Sequence, residues 1–144
     1  MIVVVDSDGL IGSLNPTDFH HKNCLRIIQG LQKKQARFIY PATTIVETTT
    51  FLQGRLNKPE LADIVFSLVK EHNLEIEPVD DNLLREAILL MNVKGGKHNT
   101  LFDAIVAATA HRYHADAIFS FDKFYKSKGL ILASDLPFSM KKHV

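Results

Sequence analysis

The chain alternates short continuous apolar runs with longer stretches in which apolar residues return at helical spacing. Ile2–Val5 is an unbroken β-branched run, which predicts a strand buried on both faces. Pro16 and Thr17 open a helical stretch to about Lys34, with Leu25, Ile28 and Leu31 on its inner face. Residues 37–40 read as a second strand, closed by Pro41. From Ala42 to about Leu56 the spacing is helical, with Ile45, Val46, Thr49 and Leu52 sharing a face, although β-branched side chains lower the helix propensity. Pro59 suits a first turn, and Leu61, Ile64, Val65, Leu68 and Val69 carry that helix to about His72. Residues 74–79 alternate apolar and acidic side chains, the pattern of a strand near a sheet edge. Asp80 or Asp81 caps the next helix, which runs to about Val93 with Leu83, Leu84, Ile88 and Met91 inward. The stretch KGGKHN, residues 94–99, is a loop with two glycines to end that helix. Residues 100–113 form a strongly apolar helix, residues 117–121 a strand, and residues 130–133 a last short strand.

Strands separated by helices call for right-handed crossovers and a parallel sheet covered on both faces. The expected fold is therefore an α/β protein, a three-layer α/β/α sandwich around a central parallel sheet of about four or five strands. No repeat, low-complexity tract or linker divides residues 1–144, so they read as one domain. In such sheets ligands bind beyond the carboxyl ends of the strands. Asp6 directly follows the first strand and Asp122 directly follows residues 117–121. Glu47 lies near the start of the helix after the second strand, and Asp103 lies in the first turn of the apolar helix.

Each acid alone has a structural reading: Asp6 starts a turn, Glu47 is a solvated helix residue, Asp122 caps a short helix, and Asp103 answers the helix dipole. Together they call for something else. Carboxylates crowded at one edge raise one another's pKa, and the one cation beside any of them in sequence is Lys123, after Asp122. A divalent cation neutralises them economically, and hard oxygen donors favour Mg²⁺ or Mn²⁺. Metal sites of this kind activate water and stabilise the leaving oxygen of a phosphodiester.

Composition narrows the classes. Hydrophobic residues make up 46% and charged ones 23%, which argues against disorder. With 17 basic and 16 acidic residues the net charge is +1, so no global field draws nucleic acid and contacts must come from a local patch. Lys94, Lys97 and His98 in the glycine loop and Lys123, Lys126 and Lys128 after the last acid are the basic residues nearest the edge. Of these Lys97, His98 and Lys123 are the candidate RNA contacts, with a solvated surface as their alternative. The single cysteine, Cys24, forms no internal disulfide and reads as core filling. No apolar run reaches the ~20 residues of a membrane span, and the amino terminus lacks signal-peptide features, so a cytoplasmic location is expected.

The motifs VVVDSDGLI, IVETTTFL, LFDAIVAATA and FSFDKFY, in that order over residues 2–125, resemble the PIN-domain ribonucleases, the fold of VapC-type toxins of toxin–antitoxin pairs. The resemblance implies that Asp6, Glu47, Asp103 and Asp122 are the catalytic, metal-binding acids of an endoribonuclease using Mg²⁺ or Mn²⁺. It places Ser120 as a hydroxyl that hydrogen-bonds within the site rather than attacking, and Ser7 as the small hydroxyl residue after the first acid. Asp8 departs from the family's more usual neutral residue and is either an auxiliary ligand or a local cap. The resemblance also implies a homodimer and a small antitoxin whose tail blocks the acidic site. The apolar stripes of residues 59–72 and 83–91 are candidate surfaces for these contacts, with burial in the core as the commoner meaning.

The stretch DSDG has a rival reading. It also looks like the start of a haloacid-dehalogenase-like phosphatase, with Asp6 as nucleophile and Asp8 as general acid. Against that, Leu10 follows the glycine where Thr or Val is usual, and the late Gly-Asp-x-x-x-Asp type motif is missing. A third reading is a non-catalytic, Mg²⁺-binding α/β partner domain, such as a receiver. Asp80 can serve as its phosphoacceptor, but no lysine directly follows residues 130–133.

Overall fold

A computed structural model describes residues 1–91 and 99–139 of the chain. Four parallel strands, β1 (Ile2–Val5), β2 (Arg37–Pro41), β3 (Glu75–Glu77) and β4 (Ala117–Phe119), form one sheet in the order β3-β2-β1-β4. β1 is central, which is why its run is apolar throughout. The pleat sends Val3 and Val5 into one core with Leu10, Cys24, Ile27, Leu31 and Phe119, and Val4 into the opposite core with Ile39, Val106, Ile118 and Tyr125. Helices therefore cover both faces, the layered sandwich that the periodicity predicts. β3 lies at the edge, where its alternating acids stay accessible and Glu75 pairs with Arg37.

Helix α1 (Ser7–Leu14) starts immediately after β1, where the pattern predicts no helix. The two glycines of SDGLIGSL serve close packing. A methyl group on Gly9 would overlap the Phe119 carbonyl and ring, and one on Gly12 would overlap the Cys24 sulfur. The next helix, α2 (His21–Lys33), starts later than Pro16 because residues 15–20 form a separate hydrogen-bonded turn. Cys24, Ile27 and Leu31 are its buried residues, and Leu25 faces outward, half exposed.

α3 (Ala42–Gln53) buries Thr44, Thr48, Thr49 and Leu52, while Val46 points outward. α4 (Pro59–Lys70) packs Ala62 against Leu52 and Ile11. Asp80 caps α5 (Asp81–Leu90), accepting from the Leu83 N–H at 2.9 Å. Leu83 and Ala87 are the buried residues of α5; Ile88, expected inward, is exposed, as is its neighbour Leu89. α6 (Leu101–Arg112) buries every residue from Ala104 to Ala110, so it is apolar on all sides because sheet and α5 enclose it.

Two sequence expectations are corrected at the carboxyl end. β4 stops at Phe119, leaving Ser120 and Phe121 in the turn that leads to α7 (Phe124–Ser127). Residues 130–133 add only a single bridge, Leu132 to Ile118, before the chain tightens into 3₁₀ turns at Ala133–Asp135 and Pro137–Ser139. Among the described residues no helix is long and apolar enough to cross a membrane.

Candidate functional site

Asp6 ends β1 at the carboxyl edge, beside the end of β4, and its N–H donates to the Phe119 carbonyl at 3.2 Å. It is the N-cap of α1 and only 5% exposed. One carboxylate oxygen accepts from the Ser7 N–H at 2.7 Å and the other from the Tyr125 hydroxyl at 2.6 Å. Tyr125 is itself fully buried. Burial, then the charge of Asp8 and more weakly that of Asp103, pushes the Asp6 carboxyl up to about 8, against the hydrogen bonds from Tyr125 and Ser7. Burial beside Asp6 also raises the Tyr125 phenol, so this hydroxyl remains a donor.

Asp8 lies in the first turn of α1 and joins it to the turn after β4. Its Oδ2 accepts from the Ser120 hydroxyl at 3.0 Å and the Phe121 N–H at 2.8 Å, while Oδ1 accepts from the Gly9 N–H at 2.8 Å. Of its two sequence readings, the structure gives Asp8 the geometry of a bracket between segments 112 residues apart. Burial raises its pKa, the three donors lower it, and Asp122 raises it again. Ser120, fully buried, also accepts from the Asp122 N–H at 3.1 Å. Asp122 in turn accepts from the Phe124 N–H at 2.9 Å, which places its carboxylate over the start of α7.

Asp103 forms a capping box with Thr100, its Oδ2 accepting from the Thr100 N–H at 3.0 Å. That bond leaves Oδ1 without a donor among the described residues. The Asp103 carboxyl is pushed up to about 6 by burial, opposed by the Thr100 bond and reinforced by Asp122, Glu47 and Asp8. The mutual repulsion brings the separate observations together: Asp6, Asp8, Glu47, Asp103 and Asp122 all lie within electrostatic reach at one end of the sheet. Glu47 is partly buried on α3, which the Thr44 hydroxyl fastens to β1 by donating to the Val5 carbonyl at 3.0 Å. One turn before Glu47, the Thr43 hydroxyl is buried with no partner among the described residues.

Among the described residues the ion pairs are Arg37–Glu75, Arg112–Glu77, Arg112–Glu86 and Lys126–Asp135, and none engages these five acids. The acids thus share a negative field with no side-chain counter-ion among the described residues. Among the described residues no three Asp, Glu, His or Cys side chains stand as a ready-made metal cage. The donor set is all carboxylate and hydroxyl oxygen, which suits a hard cation that keeps several waters rather than one needing a complete protein cage. By donor chemistry and charge, Asp6, Glu47, Asp103 and Asp122 fit a Mg²⁺ or Mn²⁺ ion.

Lys123 is exposed beside Asp122, whereas Lys97 and His98 lie outside the described residues. Tyr125 is the residue that sequence reasoning missed. Its only signal is a place three residues after Asp122, and nothing local to FSFDKFY shows that its hydroxyl reaches an acid 119 positions away.

The fold is similar to that of solved structures. VapC20 of Mycobacterium tuberculosis, described as a Sarcin-Ricin loop cleaving toxin, superposes with a TM-score of 0.75 at 16% identity, covering 90% of this chain and 96% of that one. FitAcB from Neisseria gonorrhoeae superposes with a TM-score of 0.65 at 14% identity, covering 90% and 95%. No curated protein matches the sequence. The PIN domain family model matches residues 3–129, and the chain belongs to the PIN-domain family.

Proposed function

We propose that the protein is a metal-dependent endoribonuclease that hydrolyses RNA phosphodiester bonds, and the toxin of a toxin–antitoxin pair. The observation that carries this reading is the set of mutually repelling acids on the carboxyl edge of a PIN-domain sheet. Asp6, Glu47, Asp103 and Asp122 hold Mg²⁺ or Mn²⁺, which when bound supplies an activated water and charge neutralisation on the phosphate. The chain's own residues do the positioning. Tyr125 and the Ser7 N–H orient the Asp6 carboxylate, the Thr100–Asp103 capping box aims Asp103, and Ser120 with Asp8 sets the turn that carries Asp122. Asp103, pushed up to about 6, changes charge near neutral pH, so cation binding and its ionisation support each other.

The similarity to VapC20, described as a Sarcin-Ricin loop cleaving toxin, supports the toxin reading; a small protein antitoxin, a homodimer and a cytoplasmic site of action belong to the same proposal. The phosphatase reading is set aside by the family and by the local bonds. Three donors hold Asp8, which that reading needs free as a general acid, within the fold. The test offers the purified protein labelled single-stranded and structured RNA, and separately a chromogenic phosphomonoester, with Mg²⁺, Mn²⁺ or EDTA. RNA cleavage leaving 5′-phosphates, abolished by EDTA and by Asp103→Asn, is the expected result. Phosphomonoester hydrolysis that Asp103→Asn leaves intact overturns the proposal.

A further inference from the structure

An aromatic ladder leads from solvent to the acidic edge. Phe19 is 94% exposed, the most exposed large apolar side chain among the described residues. Its ring meets His20 edge-on at 4.9 Å, and His20 stacks flat on Phe121 at 3.8 Å with the planes 6° apart. Phe121 stands between Ser120 and Asp122, and its N–H is held by Asp8, so the inner rung belongs to the turn that carries an acid.

The outer rung is not a loose tip. Asn15, 4% exposed, accepts through Oδ1 from the Thr17 N–H at 3.3 Å, the Thr17 hydroxyl at 3.0 Å and the Lys58 ammonium at 2.6 Å. Asp18 accepts from the His20 N–H at 2.8 Å, and His21 Nδ1 meets the Gly12 carbonyl at 2.7 Å. A turn pinned at five places thus carries Phe19, whose ring is exposed to solvent apart from its edge contact with His20. Ordering of this kind lowers the cost of binding a flat apolar partner. Exposed Lys22 follows the outer rungs in the chain and exposed Lys123 follows Phe121 and Asp122, so cations accompany both ends.

We propose that Phe19, backed by His20 and Phe121, is a stacking platform for an unpaired base of the RNA substrate, close to the phosphate that is cut. This rests on the ribonuclease reading. Single-stranded RNA is held by aromatic faces beside cations that track its backbone, and the ladder's continuity with the acidic turn favours substrate over a protein partner. Phe19 is a positioning residue; the acids remain the reacting site.

The test measures binding of a fluorescein-labelled twelve-nucleotide single-stranded RNA pool by anisotropy, using the full chain carrying Asp103→Asn so that RNA stays intact. Phe19→Ala weakens binding about tenfold, Phe19→Leu does the same, and Phe19→Trp keeps the affinity. One abasic position in a chosen RNA costs the Phe19 protein about tenfold and costs Phe19→Ala nothing further. Phe19→Ala within twofold of its parent, or Phe19→Leu equal to phenylalanine, overturns the platform. So does a light-scattering mass that falls from dimer to monomer in Phe19→Ala with RNA affinity unchanged, which assigns the ring to a second copy of the chain. The two readings fail separately. If the wild type cleaves RNA with Mg²⁺ or Mn²⁺ and Phe19→Ala binds as its parent does, only the platform falls. If the wild type neither binds nor cleaves RNA, the ribonuclease reading falls and the platform with it.

Discussion

Replacing the Asp6 carboxyl with a group that never ionises stabilises the metal-free protein at neutral pH. The perturbation is Asp6→Asn. In the folded chain the Asp6 carboxyl is pushed from 3.8 up to about 8, and at 5% exposure solvent does little to screen it. Below about pH 4 the acid is protonated in both folded and unfolded chains and contributes no pH dependence. As pH rises from 4 to 8, the unfolded chain releases its proton and the folded chain keeps it, so stability falls across this window. At about 1.4 kcal/mol per pH step the loss at pH 7 is on the order of 4 kcal/mol. That is a large share of the ~5–15 kcal/mol that holds a domain together. Asparagine keeps the shape and an acceptor for the Tyr125 hydroxyl, but its NH₂ faces the Ser7 N–H, which loses its acceptor, a cost of about 1 kcal/mol. The net expectation is that Asp6→Asn is more stable than wild type in EDTA by about 3 kcal/mol at pH 7.5, and no more stable at pH 4.5.

Urea unfolding followed by circular dichroism at both pH values reads this directly. Asp103, pushed up to about 6, adds a slope in the same window to both proteins, so the difference between them isolates Asp6. A cation that replaces the proton reverses the order. At 1,000 times its dissociation constant Mg²⁺ or Mn²⁺ restores about 4.1 kcal/mol to wild type, and Asp6→Asn gains far less. Parallel pH profiles for the two proteins, or an Asp6→Asn protein less stable than wild type at pH 7.5 in EDTA, would refute the reasoning.

Other predictions follow from single contacts. Tyr125→Phe removes the donor to Asp6 while leaving the buried ring, and should weaken metal affinity about 10–100-fold by titration calorimetry with little change in melting temperature. Gly9→Ala drives a methyl into the Phe119 carbonyl and ring, and should cost about 1–3 kcal/mol in urea unfolding. Asp8→Ala strips acceptors from the Phe121 N–H and the Ser120 hydroxyl, so hydrogen exchange at Phe121 and Asp122 should quicken even where the overall fold persists.

Much of this protein is legible along the chain because local pattern and global position agree there. The unbroken β-branched run at residues 2–5 is a central strand, the alternating acids of residues 74–79 lie at an edge, and the apolar helix at residues 101–112 is enclosed. Acids placed directly after strands or in first turns are then carried to the carboxyl edge by topology. The misreadings fall where a tertiary contact overrides a local signal. The helix at residues 7–14, which the pattern does not predict, carries glycine at 9 and 12 because Phe119 and Cys24 leave no room there for a side chain. Ile88 follows the helical spacing yet faces outward, since Leu83 and Ala87 define the face of α5 that meets α6. The four residues at 130–133 have the composition of a strand and make one bridge, because the chain turns away at Leu132.

By itself, then, the sequence determines the layers, the strand order's central member and the acids delivered to one edge, all of which follow from periodicity and from residues adjacent to strand ends. Only the tertiary structure decides how those acids are held. Tyr125 reaches Asp6, Asp8 brackets Ser120 and Phe121, and His20 stacks on Phe121, each across roughly a hundred residues of chain. Hydrogen bonds and ring stacking act over a few ångströms, and no spacing along the chain records which distant side chains folding will bring within that range.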